Sequence, residues 1–242
     1  MSISYQESLD KSKITSAHML LLLTCFCLNM VDGYDVLSIA FAAPPLATQW
    51  GLKAETLGVL MSAGVFGMTL GAMFLAQLTD ILGRRKMVIA AVSVMGSSMI
   101  LSSRATGLSE LIVLRVFTGL GTGAMLASLT ALISEFFPTR HRDLAIGVTL
   151  AGYPIGATLG GFLAAKLIST YSWQGVFIAG GIATLLLIPV ILAYLPESVH
   201  FLMRRRPHEF LAKANKVLGR LGLPATTFTA DNGEAIARAS VR

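Results

Sequence analysis

Long apolar stretches alternate with short polar ones along the whole chain. They run over about residues 19–46, 56–78, 87–103, 110–134, 144–168 and 176–195. Each is near the roughly 20 residues that a helix needs to cross a bilayer. The pattern predicts an all-α, polytopic membrane protein with six transmembrane helices. It divides the chain into a polar leader (1–18), a six-helix transmembrane bundle (19–195) and a polar, basic tail (196–242). Pro44-Pro45 is expected to stop the first helix, because proline fixes φ and removes a donor. The polar links are a short one at 49–55, a tight charged turn at 79–86, a link at 104–109, a charged loop at 135–143 and an aromatic link at 169–175. Tyr171 and Trp173 in that last link suit a membrane interface. Gly64, Gly67 and Gly71, Gly119 and Gly123, and Gly152, Gly156 and Gly160 recur at three- or four-residue spacing. Such spacing serves close helix packing, or surfaces that slide. In the tail, 210–221 has an amphipathic look, fit to lie on a membrane surface or to be a solvated linker, and the residues after Leu223 look flexible.

Composition agrees with this class. The 242 residues are 54% hydrophobic and 13% charged, with mean hydropathy +0.71, whereas soluble domains carry about a quarter charged residues. The net charge of +6 sits in loops and tail, so it is no signal for nucleic acid. Cys25 and Cys27 share the first apolar stretch and read as small fillers, not as a disulfide. Neither a metal-binding cluster nor a cofactor motif is apparent, and no nucleophile–base arrangement suggests an enzyme. The leader precedes an apolar run too long for a signal peptide, so no cleaved peptide is expected. Orientation follows the basic residues. With the N-terminus inside, inner segments hold Lys11, Lys13, Arg84, Arg85, Lys86, Arg140, Arg142 and the basic tail, against Lys53, Arg104 and Lys166 outside. Both ends are thus expected in the cytoplasm.

Against this apolar background, Asp32, Asp35 and Arg115 stand out. The two carboxylates are three residues apart and share a helical face. Each would cost about 2.5–3.5 kcal/mol if it met lipid near the bilayer centre. Their face is therefore expected to line a polar cavity or meet a cation, as a structural ion pair or as part of an ion or substrate path. Spans one to three and four to six have the arrangement of two inverted three-helix repeats, with spans one and four in matching positions. Inverted repeats around a midplane site are a recurring plan of transporters. Counting helical rise places Asp35 and Arg115 in the same half of the membrane, so Arg115 is expected to face Asp32 and Asp35 across a shared cavity.

Several spaced motifs carry a family resemblance. The turn Asp80-Ile81-Leu82-Gly83-Arg84-Arg85-Lys86 resembles the loop signature between the second and third spans of the major facilitator superfamily. Arg115 through Gly119, Gly121 and Gly123 resembles its fourth-span element, Glu135 through Pro138 with Arg142 the loop that follows, and Pro196-Glu197-Ser198 the element after span six. Asp32-Gly33-Tyr34-Asp35, followed by Ala43-Pro44-Pro45-Leu46, is similar to the aromatic acid:proton symporter family, as is the stretch from Gly152 to Gly161. The resemblance implies proton-coupled uptake of a small aromatic carboxylate across a cell membrane, bacterial inner membrane by analogy. It covers one six-helix half of a twelve-helix carrier. The chain is expected to be a fragment, a frameshifted product or a half that pairs with a second six-helix half. A non-transporting half that binds partners, or a carrier of a different organic anion, is the alternative.

The same resemblance suggests roles. Arg115 keeps its charge when buried and offers a planar fork, so it would contact the substrate carboxylate, balance the acids, or tie helices together. Asp32 or Asp35 would carry the coupled proton, and of Tyr34, Phe41, Phe117 and Tyr153, which could stack on an aromatic ring or serve as ordinary fillers, Tyr34 is the preferred candidate. Asp80, Gly83, Arg84, Glu135, Arg140 and Arg142 would form a cytoplasmic gate that latches in one state and parts in another. The plainer account of the basic loops is topology alone.

Overall fold

The computed structural model describes residues 9, 10, 12–198, 201, 202, 215 and 219, and within them all but the side chains of Ala76 and Asp80. The expected features of 210–221 and of the residues after Leu223 fall outside this description, apart from Asn215 and Gly219. The described residues form helices and no strands: α1 (Ser16–Trp50), α2 (Ala54–Leu70), α3 (Ala76–Leu82), α4 (Arg84–Ser102), α5 (Leu108–Phe136) and α6 (Thr139–Tyr194). A single π-helical turn, Gly71–Leu75, joins α2 to α3. Helices are what an apolar sequence must form in lipid, where each backbone N–H and C=O has to be satisfied within its own segment. Five segments are long and apolar enough to cross a membrane, with α2 and the π turn counted together as Ala54–Leu75.

The fifth of them, α6, makes two passes. Its 56 residues would extend about 84 Å as one rod, well over twice the hydrocarbon thickness. It breaks at Ser172, where φ is 58° and ψ −169°. The ring of Tyr34 shows that the chain turns back there. A Cβ on Gly160 would lie 2.6 Å from that ring, and one on Gly180 would lie 2.4 Å from it. Along a straight helix those glycines would stand about 30 Å apart.

Two apolar clusters mark the ends of the bundle. One holds Leu9, Leu21, Met87, Phe136, Ala145 and Leu195. The other holds Leu46, Leu60, Ala105, Leu111 and Trp173. The first lies at the basic end, beside Arg84 and Arg140; the second is the far end. From Leu21 to Leu46, Leu60 to Leu75, Met87 to Met99, Leu111 to Phe136, Ala145 to Trp173 and Trp173 to Leu195, the chain crosses between them six times. The described residues thus form an all-α bundle of membrane-spanning helices, as expected.

The expected repeat is visible in the packing. The fifth pass leans on the first through Gly152 over Phe26 and Gly156 over Met30. The second leans on the fourth through Gly67 over Val116 and Gly71 over Leu120. The third and sixth passes meet at Gly96 and Gly181. Exchanging passes one to three with four to six carries each of these contacts into the other, as inverted repeats require.

Four boundaries differ from expectation, and the first is the charged turn at 79–86, which shrinks to Gly83 between α3 and α4. Pro44-Pro45 does not end α1, which runs on to Trp50 and stops at Gly51 in the left-handed region, φ 62°. Tertiary contacts hold that extra turn: Leu46 is fully buried, Trp173 Nε1 donates to Gln49 Oε1 at 2.7 Å, and Trp50 meets Trp173 edge-on. The charged loop at 135–143 shrinks to Phe137-Pro138, since proline is well suited to the entrance of a helix and α6 starts at Thr139. The aromatic link at 169–175 narrows to the one residue Ser172.

Candidate functional site

Helical register brings Asn29, Asp32, Asp35 and Val36 of α1 to one side, facing α2, α5 and the first pass of α6. Between these helices lies a cavity of about 370 Å³, within the size range of small-molecule sites. Met61, Val65 and Met68 of α2 form one wall. Arg115, Gly119, Thr122 and Leu126 of α5 form another, and Leu150 and Tyr153 of α6 a third. The lining is mostly apolar, with the polar groups contributed chiefly by α1 and α5.

The structure brings Asp35 and Arg115 together as the sequence predicts. Arg115 Nη1 donates to Asp35 Oδ1 at 3.0 Å, and the two side chains are 3% and 5% exposed. The same nitrogen reaches Ser38 Oγ at 3.4 Å, and Nη2 reaches Thr118 Oγ1 at 3.2 Å. The guanidinium carbon lies 4.9 Å from the centre of the Phe177 ring, a cation–π distance. Arg115 Nε has no partner among the described residues. The charge is thus held from α1, α5 and the last pass of α6 at once, with its edge on the cavity.

Asp32 lines the same cavity and is 1% exposed, but among the described residues no cation pairs with it and its Oδ1 has no hydrogen-bond partner. The Thr122 side chain lies within hydrogen-bonding reach of the Asp32 carboxyl, although no hydrogen bond of ordinary geometry joins the two. Tyr34 does not fit the stacking role expected of it. Its hydroxyl donates to the Val176 carbonyl at 2.7 Å and its ring is wedged between Gly160 and Gly180, away from the cavity lining. Tyr153 is the aromatic residue that lines the cavity. Sequence reasoning missed Thr122, Asn29, Ser38, Thr118 and Phe177. A signal existed for two of them, since Thr122 is two helical turns beyond Arg115 and Asn29 is one turn before Asp32.

The residues expected to gate the basic end fall into two groups. Arg84 Nη1 pairs with Glu135 Oε2 at 2.9 Å, and Ser198 Oγ donates to Glu135 Oε1 at 2.8 Å. Glu197 Oε1 accepts from the backbone N–H of Arg85 and of Ser198, each at 3.1 Å, while the Arg85 guanidinium donates to the Leu192 carbonyl. Gly83 permits this approach: its φ is 97°, and a Cβ there would meet Glu197 Oε2 at 2.7 Å. Burial pushes the Glu197 carboxyl above the usual range, against the pull of the N–H donors on it. Asp80 lies on α3, and its side chain is outside the described residues.

Arg140 and Arg142 belong to the other group. Arg140 Nη2 donates to the Ser12 carbonyl at 3.1 Å. Asp10 Oδ1 accepts from Thr139 Oγ1 at 2.6 Å and from Thr139 N–H at 2.8 Å, so the leader caps α6. Those two bonds, with Arg142 and Arg140 nearby, hold the Asp10 carboxyl below the usual range. Glu197 and Ser198 were expected only as a motif, and their docking on the 83–85 turn depends on contacts across the fold.

Residues 22–230 match the sequence profile described as "Major Facilitator Superfamily". The chain belongs to the major facilitator superfamily. It is 38% identical over 228 residues to a protein named gallate transporter from Pseudomonas putida, covering 94% of this chain and 51% of that one. It is 34% identical over 242 residues to the 4-hydroxybenzoate transporter PcaK of Pseudomonas putida, covering 99% and 54%. The chain spans about half the length of the curated relatives it matches, in accord with one six-helix half. Among solved structures, a proton:xylose symporter, XylE, bound to 6-bromo-6-deoxy-D-glucose superimposes with a TM-score of 0.77 at 18% identity, covering 94% of this chain and 52% of that one. The two curated relatives are named as transporters, and with its several long apolar helices the chain is a multi-pass membrane protein of this superfamily.

Proposed function

We propose that the protein takes part in proton-coupled uptake of small aromatic carboxylates by alternating access. The observation that carries this reading is the buried Asp35–Arg115 pair at the edge of a cavity that also holds Asp32, which pairs with no cation among the described residues. An arginine stays charged in a dry site and matches a carboxylate geometrically. A substrate anion entering the cavity would share or take over the Arg115 fork from Asp35. It would then stand beside two carboxylates and one guanidinium, an excess of negative charge in a poorly solvated space. A proton taken up at Asp32 offsets that excess. Binding of anion and binding of proton then favour each other, and by linkage the effect is mutual. The apolar walls of Val65, Met68, Leu126 and Leu150 accept the ring.

A second six-helix unit would close the cavity on its remaining side. Both chain ends would lie in the cytoplasm and the bundle in a cell membrane, following the excess of Lys and Arg at the basic end. The Arg84–Glu135–Ser198 cluster would serve as a cytoplasmic latch, formed in one state of the cycle and parted in the other.

Uptake of labelled 4-hydroxybenzoate by energised cells, with the protein expressed from its complete reading frame, tests the coupling. Accumulation should be abolished by a protonophore, and should be lost in both Asp32→Asn and Asp35→Asn at matched membrane expression. Undiminished accumulation in both variants would remove the coupling from the proposal.

A further inference from the structure

We propose that Asp32 and Thr122 form a receptor for a hydroxyl group on the ring of the carried acid, so that the cavity selects hydroxylated aromatic carboxylates over unsubstituted ones. This rests on the aromatic-carboxylate reading above and narrows it to a substrate class.

The starting point is an oddity on α5. Thr118, Ser128, Thr130 and Ser134 each donate a side-chain hydroxyl back to a carbonyl of their own helix, at 2.8–3.0 Å. That is the ordinary way for a hydroxyl to be satisfied away from water. Thr122 does not do so. Its Oγ1 is buried, the residue is 1% exposed, and the oxygen has no hydrogen-bond partner among the described residues. Asp32 Oδ1, across the cavity wall, is in the same condition, and both residues line the cavity. Buried polar atoms without partners are uncommon, because leaving one unmade is costly. Two in one cavity mark a place where a ligand supplies the missing bonds.

Their chemistry names that ligand group. Thr122 offers an O–H donor, and the Asp32 carboxyl keeps an acceptor oxygen whether or not it carries the coupled proton. A ring hydroxyl is both acceptor and donor, so one such group satisfies both atoms at once. An ether or a halogen would satisfy only one of them.

Register places this pair apart from the cation. The α1 helix runs from the basic end to the far end, and α5 runs the other way. Asp32 is one turn before Asp35, and Thr122 is two turns after Arg115, on the same face of α5. Asp32 and Thr122 therefore both lie towards the basic end of the cavity, and Asp35 and Arg115 both towards the far end. Gly119 lies between Arg115 and Thr122 on α5, and the apolar side chains of Val65 and Met68 line the same cavity. The geometry points to a ring lying along the cavity, with its carboxylate at Arg115 and a hydroxyl at the Asp32–Thr122 pole.

Equilibrium binding of benzoate, 3-hydroxybenzoate and 4-hydroxybenzoate to the protein in lipid nanodiscs tests this. At least one hydroxybenzoate should bind about tenfold more tightly than benzoate, the worth of a well-made hydrogen bond. In Thr122→Val that ratio should fall towards one, and in Thr122→Ser, which keeps the hydroxyl, it should persist. Persistence of the ratio in Thr122→Val, its loss in Thr122→Val and Thr122→Ser alike, or equal affinities in the native protein would overturn the hydroxyl receptor while leaving the aromatic-carboxylate reading in place. Failure of all three acids to bind the native protein would instead overturn that reading and this inference with it.

Discussion

At the scale of single residues, Arg115 has two separable roles. It holds Asp35, Ser38 and Thr118, and it lies against Phe177, which would make it a structural tie. It also presents an edge to the cavity. Removing one member of a buried pair leaves the other charge without compensation and costs about 3–5 kcal/mol, whereas replacing both by apolar groups is often close to neutral. Arg115→Leu is thus expected to destabilise by about 3–5 kcal/mol, and Arg115→Leu with Asp35→Leu to recover most of that loss. Reversible unfolding in mixed micelles measures both. If the pair serves transport, the double variant should be stable and still inactive in uptake. A stable double variant that transports would reduce the pair to a tie between helices.

At the scale of elements, glycines set how closely the helices approach. A Cβ on Gly156 would sit 1.9 Å from the Met30 carbonyl oxygen, and one on Gly123 would sit 2.0 Å from that of Met68. These obstacles are backbone, so no side-chain rotation relieves them. Gly156→Ala is expected to separate α6 from α1 and to cost about 1–3 kcal/mol, as overpacking does. Gly147→Ala, with nothing within 4 Å of its Cβ, should instead be neutral or stabilise by up to about 1 kcal/mol through helix propensity. Equal effects at the two positions, read from unfolding midpoints, would refute the packing argument. The four-residue spacing of these glycines was readable in the sequence because close contact repeats with the helical turn. The extension of α1 past Pro44-Pro45 was not readable, because Gln49 and Trp50 depend on Trp173, more than a hundred positions away. In the site, Asp32, Asp35 and Arg115 stood out as charges in apolar runs. Thr122 did not, since a hydroxyl in a membrane helix is ordinary until its missing partner is seen. Tyr34, between two site acids in sequence, faces away because neighbouring helical positions diverge by about 100°.

At the scale of the whole molecule, the basic end is tied from three directions. The leader caps α6 through Asp10, the 83–85 turn accepts Glu197, and Ser198 joins Arg84 on Glu135. Spans distant in sequence must part or slide here if the bundle rocks, so the strength of these ties bears on the cycle. Glu197 makes one of them sensitive to pH. Burial raises its carboxyl above the usual range, more than the N–H groups of Arg85, Ser198 and Arg84 lower it. A carboxyl raised on folding favours the folded state in its protonated form. Its contribution is therefore fully present below the ordinary carboxylate range and is lost as pH rises through the higher, folded-state value. Glu197→Gln keeps an oxygen to accept from Arg85 and Ser198 but cannot ionise. Thermal unfolding midpoints of the native protein and Glu197→Gln in nanodiscs, from below the ordinary carboxylate range up to neutral pH, should diverge accordingly. The native midpoint should fall relative to the variant as pH rises. Parallel curves would mean that the segment after α6 docks without regard to the charge on Glu197, and the pH sensitivity assigned to this tie would then be wrong.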